Sequence, residues 1–146
     1  MLIKVMSKKQ IEELVPDRLC AIISITNTYD EIVSIKYSNY IKDILRLTFL
    51  DEDDVSYQKK KNDKYRLFNT ADALRILNFV DSLKDRIEVL YIHCNAGFSR
   101  SPAVAAALCD IYNIESNINW FFNYSPNIFV YRKLLNTYHF RDEIKE

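Results

Sequence analysis

The sequence predicts an α/β domain with a central, mostly parallel sheet of about four or five strands flanked by helices. Three observations predict it. Short apolar runs alternate with segments of helical periodicity along the whole chain. Two of the runs, residues 19–25 and 87–92, are nearly continuously apolar, as expected of strands covered on both faces. No repeat, low-complexity tract or linker divides the 146 residues, a length that suits one domain, 1–146, with its own core.

Taken in order, Leu2-Ile3-Lys4-Val5-Met6 alternates and reads as a first strand. Ser7 with Gln10 is a capping-box pattern opening a short helix, Lys8 to Val15, that stops before Pro16. Leu19 to Ile25 is the first buried-type strand. Glu31 to Tyr37 alternates again and is expected to be a further or edge strand. Ile44 to Leu50 is a strand that ends abruptly in acid, Asp51-Glu52-Asp53-Asp54. Residues 51–68 read as a long polar connection. Asn69 or Thr70 caps a helix to about Lys84, with Ala73, Ile76, Leu77, Val80 and Leu83 on one face. Ile87 to Ile92 is a buried-type strand, and Ser101 to about Tyr112 is a helix with Pro102 in its first turn, where proline is tolerated. The tail is helical in pattern: Asn127 caps a last helix, and Trp120, Phe121 and Phe122 are expected in the core.

Composition narrows the function. Twenty basic and twenty acidic residues cancel, so no chain-wide basic surface exists and no nucleic-acid partner is expected. No run of about 18 apolar residues is present, so no membrane partner is expected either. The first residues lack a signal-peptide pattern. Three cysteines cannot all pair, which favours a reducing, cytoplasmic setting over a disulfide scaffold. His139 has no partners in the sequence and takes no role. Composition leaves the oligomeric state open.

The chemistry concentrates in Ile92-His93-Cys94-Asn95-Ala96-Gly97-Phe98-Ser99-Arg100-Ser101-Pro102. A strand ends, a short loop turns, and a helix begins. Amides at a helix N-terminus are unsatisfied and the helix dipole adds positive potential, so this is an anion site by architecture. A loop wound about one centre aims further N–H groups at the same point. Such winding needs a residue without a Cβ, and Gly97 is the only glycine in the chain. A thiol attacks as its thiolate, which amide dipoles favour, and an arginine fork grips two phosphoryl oxygens where a lysine would act as a point charge. Ser101, or Ser99, is placed to donate a hydroxyl to the sulfur or the loop, and His93 to steady it.

Cys-x5-Arg with His before and Ser after resembles the signature of the cysteine-dependent protein tyrosine phosphatases. The short chain is similar to their compact dual-specificity branch. The resemblance covers about residues 44–112 clearly. Beyond that, Pro126-Asn127 with Val130-Tyr131-Arg132 is similar to the closing helix of small bacterial and viral-type members. It implies a two-step hydrolysis of phosphomonoesters (phosphotyrosine, and also phosphoserine or phosphothreonine) on a phosphorylated protein substrate. In that mechanism Cys94 attacks phosphorus and forms a phosphocysteine. Arg100 and the backbone of Asn95, Ala96, Gly97, Phe98, Ser99 and Arg100 bind the phosphoryl oxygens. His93 supports the loop and Ser101 helps the thiolate leave. No metal or other cofactor is implied.

An aspartate from another loop completes the resemblance as general acid. Asp51, at the end of the preceding strand, is the first choice, although its separation from Cys94 is longer than usual in this branch. Asp53 and Asp54 follow closely, and Asp63 has the more ordinary separation. Three other functions compete with the protein phosphatase. One is a catalytically weak phosphate-binding module. Another is a phosphatase for a phosphoinositide or an RNA 5′-phosphate; by the resemblance, the uncharged loop positions Asn95, Ala96, Phe98 and Ser99 disfavour the lipid. The third is a rhodanese-type sulfurtransferase, which Ser101 after Arg100 disfavours. Cys20 and Cys109 lie in apolar elements and are expected to be core.

Overall fold

The computed structural model describes residues 1–52 and 66–145. Its sheet has four strands: β1 (Leu2–Met6), β2 (Cys20–Thr26), β3 (Ile41–Thr48) and β4 (Val89–His93). They lie in the order β1-β4-β2-β3, and every pairing is parallel. Parallel neighbours need crossover connections; residues 27–40, between β2 and β3, cross without a helix, and the other connections use helices. The helices are α1 (Lys8–Glu13), α2 (Thr70–Leu83), α3 (Arg100–Tyr112), α4 (Trp120–Asn123) and α5 (Ile128–Lys145). The α/β class and the strand number agree with the reading from sequence.

The alternation of side chains across the strands divides the core in two. Ala21, Ile23 and Ile25 of β2 and Leu90 and Ile92 of β4 face one layer, where α2, α3 and α5 pack. Cys20 and Ile22 with Val89 and Tyr91 face the other layer, covered by Ile11 of α1 and by Val33. Every residue of β2 is buried, which is why residues 19–25 carry an unbroken apolar run. β2 and β4 are the two inner strands, so their C-terminal ends lie at the middle of the sheet edge. Ligands of open α/β sheets bind outside the carboxyl ends of strands, and the Cys94 loop begins there.

The local signals hold where they rest on caps and faces. Ser7 and Gln10 form the capping box reciprocally at 3.2 and 2.8 Å. Asn69 caps α2 and Asp72 returns the bond, while Arg66 clamps the Asp72 carboxylate through two bonds of 2.6 and 2.8 Å. Ala73, Ile76, Leu77, Val80 and Leu83 are all buried, as their spacing predicts. Residues 100–108 of α3 are buried throughout, and its alanines let β1, β4 and α5 approach.

Three expectations are corrected. Residues 31–37 form no strand. Their alternation marks a segment that buries Val33 and leaves Ile32 and Tyr37 exposed, while side chains serve its backbone. The Ser34 N–H donates to Glu12 and the Val33 carbonyl accepts from Arg46, so no ladder is needed. β3, Ile41–Thr48, starts and ends earlier than the apolar run 44–50: Phe49 makes a last N–H bond to the Thr26 carbonyl at 3.0 Å, and the Leu50 N–H pairs instead with the Arg66 carbonyl at 2.8 Å. Trp120 is buried, but Phe121 and Phe122 are 49% and 84% exposed, because a four-residue helix presents only one side to the core. Of the cysteines expected in the core, Cys20 is buried and Cys109 is half-buried. Among the described residues no helix is long and apolar enough to cross a membrane.

Candidate active site

The loop between β4 and α3 is shaped by what holds its carbonyls. The Asn95 carbonyl accepts from the Lys8 N–H at 3.0 Å, Phe98 from Ser125 at 3.1 Å, and Ser99 from Asn127 at 3.0 Å. These three acceptors are thus turned out onto α1 and the α4–α5 turn. Among the described residues, no N–H from Asn95 to Arg100 has a hydrogen-bond partner. A run of unpaired amides at the start of a 13-residue helix is an anion-binding arrangement.

Gly97 makes the turn possible. It has φ +71°, and a Cβ there would lie 2.8 Å from three backbone atoms of Met6 and Ser7. Neither the conformation nor the contact tolerates a side chain. Gly97→Ala is expected to cost about 2–5 kcal/mol, from backbone strain plus overpacking. It should also weaken vanadate binding, as read by the urea midpoint and by titration. Wild-type stability in that variant would contradict the assignment.

Cys94 sits at the floor, 2% exposed, with its Sγ 3.1 Å from the Ser101 Oγ. The Ser101 hydroxyl is thus within hydrogen-bond reach of the sulfur. His93 is fully buried on the opposite face of the sheet. Its Nε2 lies 2.6 Å from the Ser24 Oγ and its Nδ1 3.3 Å from the Cys94 carbonyl. The second contact fixes the tautomer: Nδ1 carries the proton and donates to the carbonyl, so Nε2 accepts from Ser24. Burial drives the His93 pKa down to about 4, against the opposing pull of that carbonyl. His93 therefore supports the loop as a neutral ring. Unfolded, it would take up a proton below its ordinary 6.5. Stability is accordingly lost as pH falls from 6.5 toward 4, by at most about 3 kcal/mol. Denaturant midpoints across that window should fall less steeply in His93→Gln than in the wild type; identical slopes would rule this out.

Arg100 is buried at 4% exposure and anchored through one nitrogen. Its Nη1 donates to the Asn27 Oδ1 at 2.8 Å and to the Phe49 carbonyl at 2.7 Å. These two bonds occupy both Nη1 protons. Nε and Nη2, the edge of the fork that grips two oxygens, have no partner among the described residues. The Phe49 N–H still bonds the Thr26 carbonyl of β2 at 3.0 Å, while its own carbonyl, just past the end of β3, is turned to Arg100.

Asp51 is brought to the loop. Its Oδ1 accepts from the Ser99 Oγ at 2.7 Å and from the Asn127 Nδ2 at 2.8 Å. The other acid candidates, Asp53, Asp54 and Asp63, lie outside the described residues. Asn95 and Ala96 are exposed, and Phe98 is 51% exposed with its ring 6.2 Å from that of Tyr124. Two contributors were not legible in the sequence: Asn27, which anchors Arg100, and the side-chain amide of Asn127, read only as a helix cap.

The fold with this loop has solved counterparts. The structure matches a crystal structure of PTPMT1 in complex with PI(5)P over 99% of this chain and 95% of that one, with TM-score 0.60 and 16% identity. A second PTPMT1 crystal structure matches over 99% and 96%, with TM-score 0.59 and 17% identity. The chain has the fold of the cysteine-dependent protein tyrosine phosphatases. It is the compact, dual-specificity-like form of that fold, with Cys94 and Arg100 at the two ends of the loop after the inner strand β4. The sequence matches no family model and no curated protein.

Proposed function

We propose that this protein hydrolyses phosphomonoesters through a phosphocysteine intermediate, and that its substrates are phosphorylated proteins, phosphotyrosine foremost and phosphoserine or phosphothreonine with it. The observation that carries this reading is the loop itself: carbonyls tied outward, amides unpaired, a sulfur at one end and an arginine edge at the other.

The phosphoryl group lies over the amides of Asn95–Arg100, with two oxygens on the Nε and Nη2 edge of Arg100. The Cys94 thiolate attacks phosphorus in line, and the S–P bond forms as the ester P–O bond breaks. Asp51 gives its proton to the departing oxygen. Water then attacks phosphorus and passes a proton to Asp51. The S–P bond breaks, Ser101 donates its hydroxyl to the returning thiolate, and inorganic phosphate leaves. The loop dipoles and Arg100 stabilise charge on the equatorial oxygens in both steps. No step requires a metal. A thiolate nucleophile needs a reducing compartment, which supports a cytoplasmic placement.

The loop's outward side chains favour an aryl ester over a polyanionic headgroup. Asn95, Ala96, Phe98 and Ser99 carry no charge, and the half-exposed Phe98 beside Tyr124 offers an aromatic ring a surface. One observation favours a second reading, since the similar PTPMT1 structure holds PI(5)P. The test is hydrolysis in EDTA of a phosphotyrosine peptide, a phosphoserine peptide and PI(5)P in mixed vesicles. Turnover of the peptides above the lipid is the expected result. Turnover of the lipid alone would transfer the assignment to the second reading. Phosphate binding with no turnover would make the chain a phosphate-binding module.

A further inference from the structure

Asn127 ties three elements together through its backbone N–H, its Oδ1 and its Nδ2, while its carbonyl accepts the Tyr131 N–H of α5 at 3.0 Å. Its backbone N–H donates to the Ser99 carbonyl at 3.0 Å and so holds the loop. Its Oδ1 accepts from the Val130 N–H at 3.0 Å and so caps α5. Its Nδ2 donates to the Asp51 Oδ1 at 2.8 Å. The orientation of the amide is fixed by this pair of partners, because the flipped form would set two oxygens against each other and leave the helix N–H facing a donor. A helix cap needs only the oxygen. The amide nitrogen is surplus to capping, and it is spent on a carboxylate 76 positions away in the chain.

We propose that Asn127 is a positioning residue for the proton donor, and that it acts by fixing which oxygen of Asp51 carries the proton. The inference rests on the reading of Asp51 as the general acid. Two donors, Nδ2 of Asn127 and the hydroxyl of Ser99, converge on the same oxygen, Oδ1. An oxygen that accepts two hydrogen bonds has its lone pairs engaged, so the proton resides on Oδ2. The carboxyl cannot rotate without breaking both bonds. Asp51 itself is exposed and lies beyond the end of β3, outside the ladder that would otherwise hold it. The clamp thus aligns an acid that its own backbone does not, and alignment within about 1 Å is worth on the order of 10²-fold in rate.

Asn127→Ser separates the two roles, because serine caps a helix about as well as asparagine but has no amide to reach Asp51. The thermal midpoint should stay close to wild type. With phenyl phosphate, whose leaving oxygen needs a proton, kcat should fall about tenfold or more, within the range general-acid catalysis supplies. With 2,4-dinitrophenyl phosphate, which leaves unprotonated, it should change little. The Kd for vanadate should not move. In an Asp51→Asn background, Asn127→Ser should cause no further loss. Asn127→Asp also keeps the cap but sets a like charge against Asp51. A like charge favours the protonated form, so the alkaline limb of the rate profile should move to higher pH. This second variant gives a readout that a purely structural role would not move, and it serves if the serine variant proves unstable.

Equal losses on both esters, or the same loss with Asp51 already removed, would make Asn127 a helix cap only. If Asp51→Asn slows phenyl phosphate but neither Asn127 variant changes its rate or its pH profile, the positioning role fails while the acid stands. If Asp51→Asn leaves phenyl phosphate turnover intact, the acid assignment fails and the positioning role with it.

Discussion

Cys94→Ser should abolish turnover while leaving the site able to bind. Sulfur and oxygen differ little in size, and the loop's shape is set by other atoms: the outward carbonyls, Gly97 against Met6 and Ser7, and the Arg100 anchors. The serine hydroxyl, unlike a thiol, does not ionise in a ring of dipoles at neutral pH, so it would need a base. None is at hand. His93 is directed to Ser24 and to the Cys94 carbonyl, and burial holds its pKa near 4. Loss of a nucleophile without replacement is felt on the scale of about 10⁵-fold or more in kcat. Calorimetry with inorganic phosphate should still show binding. A residual rate within about tenfold of wild type would mean that the chemistry runs elsewhere.

Arg100→Lys should be nearly as damaging despite keeping the charge. The guanidinium does two things at once in this structure. One nitrogen is committed to Asn27 and Phe49, which fixes the plane of the group. The opposite edge is then presented as a rigid fork. A lysine has one nitrogen for both tasks: if it bonds the Phe49 carbonyl it has no second edge, and if it meets the phosphoryl oxygens it leaves a buried carbonyl and amide unpaired. An arginine on a transferring phosphoryl group is worth about 10³–10⁵-fold in kcat, and the lower end of that range is the expected loss. Vanadate, which resembles the five-coordinate transition state, should lose more affinity than phosphate. A loss smaller than about tenfold, or equal for the two anions, would show that the fork is not what the reaction uses.

Much of this site was legible because its key residues are neighbours in the chain. Cys94, Gly97, Arg100 and Ser101 fall on one strand–loop–helix passage, where sequence order is spatial order. The lone glycine pointed to a backbone that allows no Cβ, and the structure shows why in the contact with Met6 and Ser7. The capping boxes and the buried face of α2 were legible for the same reason, since their partners sit three or four residues apart. What the sequence did not show is adjacency between distant segments. Asn27 meets Arg100 across 73 positions, and Ser24 meets His93 across 69. Those contacts exist because β2 and β4 end side by side, a fact of strand order that no periodicity encodes. The segment 31–37 shows the complementary error. Its alternation reports truly that one side is buried, but burial against a sheet does not make a segment part of the sheet.

Acid quenching during turnover of a ³²P-labelled aryl phosphate, followed by peptide mapping, tests the central claim most directly. The label should be found on the sulfur of Cys94, and Asp51→Asn should leave it on that same peptide. Label on any other residue, or steady hydrolysis with Cys94 unlabelled at every quench time, would contradict the account.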